Sequence, residues 1–369
     1  MILKTDCRHF PGDKPCRPNK EQGKTCPDCD EYAPKGHRIL IIKLEALGDV
    51  LRTTAILPGI KAQYPSSYIV WLTLDSAADL LRGNEFIDEL WTLDIDAPAR
   101  LAAEEFDLVL NPDADKRAAG LASQARAVEK RGMLLNSQGN VVPASPEAVA
   151  WLEMGAFDSL KKANRKTYQQ LIYEMLKLEY RNQEVVFALH DAEKDWAGRF
   201  LTAQGWREGE TVIGVNLGGG GRWKKKQWKP WHFEALAREL AARENTRVLL
   251  IGGEREQSLM DNLKALLPAG VWTIGAHRTV RETAALIHRC RLLVSGDSLV
   301  FHLATALRVP TVVLMGPTSA PELELYERGE LIVAPIGCVC CYLTDCDINP
   351  DCMQLITPQT VLGAVKKWL

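Results

Sequence analysis

Four short stretches of the chain combine glycine with acid or base in patterns suited to chemistry on an anionic ligand. In Lys43-Leu44-Glu45-Ala46-Leu47-Gly48-Asp49-Val50 a flexible glycine, Gly48, precedes Asp49 at a helix start. A carboxylate there serves either as a helix N-cap or as a general base aimed into a cleft. The stretch from Asn216 to Trp228 carries Gly218, Gly219, Gly220 and Gly221, then Arg222, Trp223, Lys224, Lys225 and Lys226. Glycines let backbone amides approach an anion and the following cations compensate its charge, so this is a diphosphate cradle or, more simply, a solvated basic loop. It is not a Walker loop, because no Gly-Lys-Ser or Gly-Lys-Thr follows, and it lacks the acidic ribose partner of the dinucleotide fingerprint. In Gly252-Gly253-Glu254-Arg255-Glu256 the last glutamate suits ribose hydroxyls or the dipole of the next helix. Ser295-Gly296-Asp297-Ser298 presents an acid and free amides at another helix start. His302 lies on that helix, where a single histidine is more often structural than catalytic.

The cysteines form a second kind of pattern. Of ten, four lie between Cys7 and Cys29 and five between Cys338 and Cys352. In a reducing compartment such groups favour metal ligation over disulfides. Cys7, Cys16, Cys26 and Cys29 contain one Cys-x-x-Cys pair and two distant thiols, enough for a structural tetrahedral zinc. An iron–sulfur cluster, unligated thiols or disulfides are the alternatives. For Cys338, Cys340, Cys341, Cys346 and Cys352 a second metal site, a small disulfide and plain packing all stand open. Cys290 reads as a buried apolar thiol.

The elements that must position these residues follow from periodicity. Residues 1–36 read as a separate segment, since Pro11, Pro15, Pro18, Pro27 and Pro34 break any helix or strand period. The continuous apolar run 39–42 fits a strand buried on both faces, followed by a helix over 51–62. Strands at 68–72 and 106–110 and helices at 76–81 and 167–178 complete a first unit, and 179–184 reads as a linker. A second series has strands at 212–217, 247–251, 291–295 and 311–315, with helices at 233–242, 280–289 and 300–307. This is an α/β chain with two parallel sheets, each a Rossmann-like domain, and the four loops all follow strands, where ligands bind in such sheets. The expected divisions are 1–36, 37–182, 183–336 and 337–369.

Composition agrees and excludes several functions. The chain has 369 residues, 46% hydrophobic, with 45 basic and 47 acidic side chains for a formal charge of −2. A globally basic nucleic-acid binder and a disordered acidic tail are ruled out, and no nucleic-acid partner is expected. The length suits about two domains. No apolar run reaches the ~18 residues that span a bilayer, and the chain turns polar at Lys4, so a cytoplasmic protein without membrane anchor or signal peptide is expected. No 20-to-50-residue repeat is visible, which excludes solenoids and propellers.

From about Arg38 onward the loops together resemble glycosyltransferase family 9, the heptosyltransferases that build the inner core of bacterial lipopolysaccharide. The matching features are Ile41-Ile42-Lys43 with Leu47-Gly48-Asp49-Val50, then Lys226-Gln227-Trp228 with Trp231, Gly252-Gly253 with Glu256, Gly296-Asp297-Ser298 with His302-Leu303-Ala304, and Gly316-Pro317-Thr318. The resemblance implies a GT-B fold with the active site between an acceptor domain, 37–182, and a nucleotide-sugar domain, 183–336. It implies inverting transfer of a heptose from ADP-heptose without a catalytic metal. Asp49 then matches the base, Lys226 the lysine that stabilises the leaving diphosphate, Glu256 the acid on the ribose and Asp297 the acid on the sugar. Gly48, Gly218, Gly219, Lys224, Ser298 and His302 join them as substrate-binding residues. Leu299 departs from the family, which usually has Gly there. The alternatives are a catalytically idle relative acting as a metal-dependent scaffold, and a sugar-nucleotide epimerase on the same fold. Such chains commonly return their C-terminal helix to the first domain, which would allow both cysteine groups to share one site. A lipid-linked or other glycan acceptor implies a basic face toward the inner membrane. Lys116-Arg117, Arg126-Lys130-Arg131 and Lys161-Lys162-Arg165-Lys166, the last beside Trp151, Met154 and Phe157, are its candidates.

Overall fold

The run Ile39 to Ile42 has no exposed surface at all, as an apolar strand covered on both faces requires. In the computed structural model, which describes residues 2–219, 224–275 and 277–369 apart from the side chain of Lys224, it forms the centre of the first of two sheets. That sheet contains β1 (Arg38–Ile42), β2 (Tyr68–Thr73), β3 (Glu89–Thr92), β4 (Glu105–Asn111), β5 (Arg126–Leu135) and β6 (Val141–Pro143) in the order β3-β2-β1-β4-β5-β6. All pairings are parallel except that of β6 with β5. The second sheet contains β7 (Thr211–Asn216), β8 (Thr246–Ile251), β9 (Val271–Thr273), β10 (Leu292–Gly296), β11 (Thr311–Met315) and β12 (Gly329–Val333). Its order, β12-β11-β10-β7-β8-β9, is wholly parallel. Both sheets follow the doubly wound order, which reverses between β1 and β4 in one and between β7 and β10 in the other. The loops that carry Asp49, Gly218 and Asp297 leave the sheets at these two reversal points.

The helix expected over 51–62 is two helices, Leu47–Thr53 and Ile56–Gln63. Pro58 has no N–H to donate to the Thr54 carbonyl, so the backbone ladder cannot continue through this point. Thr54 instead donates its hydroxyl to Leu51 O at 2.6 Å and accepts from Val186 N at 2.9 Å. This ties the interdomain connection to the first domain. No helix or strand lies between Tyr168–Met175 and Asp191–Ala203. Arg281 bridges the domains by donating to Asp79 O and Ala188 O and pairing with Glu193.

The C-terminal helix Pro358–Trp368 corrects one expectation. It stays with the second domain, where Val361, Ala364 and Val365 share a core with Ile213, Val215 and Val312. Trp228 Nε1 donates to Ile356 O at 2.8 Å to fix it there. The cysteine groups at the two ends therefore do not share a site.

Residues 2–37 lie against the amino ends of β1 to β3, opposite the ligand-binding edge. Tyr68 N donates to His37 O, His37 stacks on Tyr64, Arg8 pairs with Asp88, and Lys35 stands 3.7 Å from Glu89. One short helix, Arg17–Gln22, does form here despite the prolines. Pro18 sits in its first turn, where no N–H is needed, and Gly23 ends it at φ +68°. Among the described residues no helix is long and apolar enough to cross a membrane.

Candidate active site

Between the carboxyl edges of the two sheets lies a cavity of about 810 Å³, walled by Asp49, Arg52 and Trp151 from one domain and by Lys226, Asp297 and His302 from the other. On the first side, β1 runs into the Leu47–Thr53 helix, whose N-cap position is Ala46. Asp49 is in the first turn and its side chain does not cap, which removes the N-cap alternative. Its Oδ1 accepts instead from Arg52 Nε at 3.0 Å and stands 2.8 Å from Arg52 Nη2. Behind it the buried Lys43 holds Asp113 at 3.0 Å and so joins the ends of β1 and β4. Burial alone would raise the Asp49 carboxyl, but the charges of Arg52 and Lys43 outweigh it and hold the group below the usual carboxylate range. At neutral pH an ionised carboxylate therefore faces the cavity.

On the second side, Asp297 Oδ2 lies 2.6 Å from Lys226 Nζ and accepts from Thr318 Oγ1 at 2.9 Å. Burial opposes the charge of Asp297, and Lys226 more than restores it. The Leu299–Ala306 helix begins at Ser298, whose hydroxyl accepts from Asn216 Nδ2 at 3.0 Å. The same amide donates to Gly218 O at 2.9 Å and so couples the glycine turn to the Asp297 loop. A Cβ on Gly219 would meet Gln227 N at 2.8 Å, so only glycine lets this turn fold over residue 227. Burial, and then Arg52, drive the His302 imidazole down to about 4, so it is neutral at ordinary pH. A Cβ on Gly48 would lie 2.8 Å from His302 Cδ2, which shows how closely the two helices meet across the cleft.

Gly48, Asp49, Gly219, Lys226, Asp297, Ser298 and His302 thus converge on one cavity. Gly218 and Glu256 stand beside it rather than in it. The Glu256 carboxylate accepts from Gly253 N at 3.0 Å and sits next to Gly218. Gly220, Gly221, Arg222, Trp223 and the Lys224 side chain lie outside the described residues. Arg52, Tyr168 and Glu322 had not been singled out. Arg52 packs over the Tyr168 ring at 3.6 Å, and Tyr168 N donates to Glu322 O across the cleft. Of these, Arg52 has a legible signal, since it lies three residues after Asp49 on one helix.

The basic stretches separate on inspection. Arg131 is buried against Glu129, Lys130 donates to Ser123 O, and Arg126 pairs with Glu105, so this group is structural. Arg117 pairs with Glu45 beside the cleft. In the group at 161–166 Lys161 and Lys166 are likewise paired, with Asp158 and Glu174, but Phe157 and Leu160 are exposed beside it.

All ten cysteines are free thiols, and among the described residues no three His, Cys, Asp or Glu side chains are arranged to hold a single metal ion. Cys7, Cys16, Cys26 and Cys29 nevertheless line one cavity, and Cys338, Cys341, Cys346 and Cys352 line another. Cys340 stands apart, with its thiol beside Ser319 and Glu322.

A family model described as glycosyltransferase family 9 (heptosyltransferase) matches residues 98–346. Lipooligosaccharide heptosyltransferase 2 of Campylobacter jejuni subsp. jejuni serotype O:6 is 23% identical over 168 residues, covering 44% of this chain and 52% of that protein. The chain thus spans about half the length of this curated relative. The glycosyl transferase family 9 structure from Veillonella parvula DSM 2008 superposes with a TM-score of 0.73 at 18% identity, covering 90% of this chain and 97% of that one. E. coli heptosyltransferase WaaC, solved with ADP-2-deoxy-2-fluoro heptose, gives 0.60 at 18% identity, with 89% and 99% covered. At such identities the likeness shows the fold, two facing Rossmann-like domains in the GT-B arrangement.

Proposed function

The chain belongs to glycosyltransferase family 9, and on that premise we propose that it moves a heptose from ADP-heptose, with inversion at the anomeric carbon, onto a lipid-linked glycan of the lipopolysaccharide-core type. One observation carries the reading: Asp49 and the Lys226–Asp297 pair face a single cavity from opposite domains. An acceptor hydroxyl held beside Asp49 attacks the anomeric carbon as the bond to the diphosphate breaks. The hydroxyl proton passes to Asp49, and the electron pair of the broken bond leaves on ADP. Because Asp49 is held below its usual range, it gains a proton only as the new C–O bond acidifies the hydroxyl, which couples proton transfer to the transition state. Lys226 is placed to neutralise the departing diphosphate, so charge compensation comes from a side chain and EDTA is expected to leave turnover unchanged. The WaaC structure was solved with ADP-2-deoxy-2-fluoro heptose, which supports the donor assignment.

The acceptor is proposed to reach the cleft from the face that carries Lys161, Lys162, Arg165 and Lys166 with the exposed Phe157 and Leu160. Cations beside apolar side chains suit anionic lipid head groups. The protein is accordingly proposed to work at the cytoplasmic face of the inner membrane as a peripheral visitor. The test incubates the full chain with a lipopolysaccharide-core acceptor and ADP-heptose, GDP-sugar or UDP-sugar, and follows nucleotide release and acceptor mass. Acceptor-dependent release of ADP alone is expected. Absence of both turnover and any melting shift with ADP-heptose would favour the idle scaffold, and sugar release without acceptor would favour an epimerase.

A further inference from the structure

The N-terminal segment has no hydrophobic core. None of the buried clusters that hold the two domains together contains a residue before Ile39. Segments this small need another staple to stay ordered. Here the chain is nevertheless folded into a defined cap: Arg8 N donates to Ala33 O, Lys35 N to Asp6 O, and Cys7 bridges to Pro34.

At the middle of the cap lies a cavity of about 470 Å³ bounded entirely by residues 2–32. Cys7, Cys16, Cys26 and Cys29 all line it, brought there from three separate stretches of chain. Cys7 begins a turn that Phe10 N closes on its carbonyl, Cys16 precedes the Arg17–Gln22 helix, and a single 3-10 turn opens with Cys26 and ends at Cys29. The thiols are free, so the cavity is not closed by disulfides. All four border this one space, and no three of them are set to hold a single ion. A tetrahedral zinc needs its four sulfurs drawn around one atom, each ~2.3 Å from the metal. A [4Fe–4S] cluster needs the reverse, four separated thiolates around a central volume, each bonded to a different iron. Lys4 and Lys14 line the cavity together with Asp13, while Lys24, which also borders it, is paired with Asp30 and Glu31.

We propose that Cys7, Cys16, Cys26 and Cys29 hold an iron–sulfur cluster of the [4Fe–4S] type that orders residues 2–36 as a cap on the first domain. The cap meets the domain through Arg8 with Asp88 and Lys35 with Glu89, at the amino ends of β2 and β3. The transfer site is at the opposite, carboxyl edge of the same sheet. The cluster is therefore a structural staple for the cap, and its presence is independent of the transfer reaction.

The test purifies the full chain without oxygen and measures iron, acid-labile sulfide and zinc, together with visible absorption before and after dithionite. About four iron and four sulfide per chain, with absorption that dithionite bleaches, are expected. The same measurements on Cys338→Ser/Cys346→Ser separate the second cysteine group, and that variant should retain the full cluster. Cys16→Ser and Cys26→Ser should each lose iron and sulfide together and expose residues 2–36 to protease while the two domains stay resistant. One zinc without sulfide, two iron and two sulfide, or iron that survives both N-terminal variants and disappears from Cys338→Ser/Cys346→Ser would overturn the assignment. The wild-type iron and sulfide content decides the matter even where a variant fails to accumulate.

Discussion

Lys226 Nζ stands 2.6 Å from Asp297 Oδ2, so the two groups that the donor would need are each other's partner in the free chain. Both are largely buried, and the pair forms where β10 ends against the glycine turn after β7. A diphosphate entering the cleft must share Lys226 with Asp297, which keeps the lysine aimed into the cavity before the donor arrives. Lys226→Ala leaves a buried carboxylate with Thr318 and the neutral His302 beside it, and should cost about 3 kcal/mol of stability as well as most of the ADP-heptose affinity. Lys226→Ala/Asp297→Ala should recover much of the stability in chemical denaturation without recovering binding in calorimetry. A double variant no more stable than Lys226→Ala would show that the pair is not what holds the loop.

Asp49→Asn tests the other wall. It keeps the shape of the side chain and removes the proton acceptor, so kcat should fall by roughly 10²- to 10⁴-fold while ADP-heptose affinity changes little. Arg52 loses its only carboxylate neighbour within the helix, and Arg52→Lys should therefore lower kcat through the orientation of Asp49 rather than through donor binding. Turnover close to wild type in Asp49→Asn would remove Asp49 from the base role.

His302 gives the cleft a pH dependence. Its imidazole is held at about 4 by burial and by Arg52, against about 6.5 in an unfolded chain. Below 6.5 the unfolded state binds a proton that the folded state refuses, so stability is intact above that pH and falls as pH drops toward 4. The full effect amounts to about 3 kcal/mol. Denaturation at intervals from pH 7.5 to 4 on wild type and His302→Asn isolates this contribution from the other histidines. The difference between the two proteins should narrow as pH falls, and a constant difference would contradict it.

How much of this was legible follows from which forces shape each part. The interior strands other than β5 read correctly because residues such as Ile39 to Ile42 are apolar without interruption, whereas β5 carries Arg126, Glu129, Lys130 and Arg131 and was read only as a basic stretch. The edge strands β3, β6, β9 and β12 are short or only partly buried, and their sequences carry no comparable run. The loop residues Asp49, Lys226, Asp297 and His302 were visible through residue type and position after a strand. Their mutual geometry was not, since the Lys226–Asp297 pair spans 71 positions and the Gly48–His302 contact joins two domains. The break near Thr54 was readable in principle from Pro58, whereas the docking of the C-terminal helix on the second domain depends on long-range contacts such as Trp228 with Ile356.

Gly48 carries the last prediction, because the two domains pack against each other there with no room for a side chain. A methyl group on its backbone would lie 2.8 Å from His302 Cδ2 and 3.4 Å from Nε2, inside ordinary van der Waals distance of a buried ring. The backbone here is helical, so Gly48→Ala carries no conformational strain of its own and its effect isolates the approach of the two helices. Either His302 rotates away from Asp297 or the Leu47–Thr53 helix withdraws from the Leu299–Ala306 helix. Both widen the gap between the base and the donor side, where a displacement of about 1 Å can cost 10²-fold in rate. Gly48→Ala should therefore reduce kcat far more than it reduces melting temperature, with the overpacking itself costing about 1–3 kcal/mol. His302→Ala removes the ring that the methyl group strikes, so Gly48→Ala/His302→Ala should turn over no more slowly than His302→Ala alone. Additive losses in the double variant would mean that Gly48 serves the acceptor directly and not the fit between the domains.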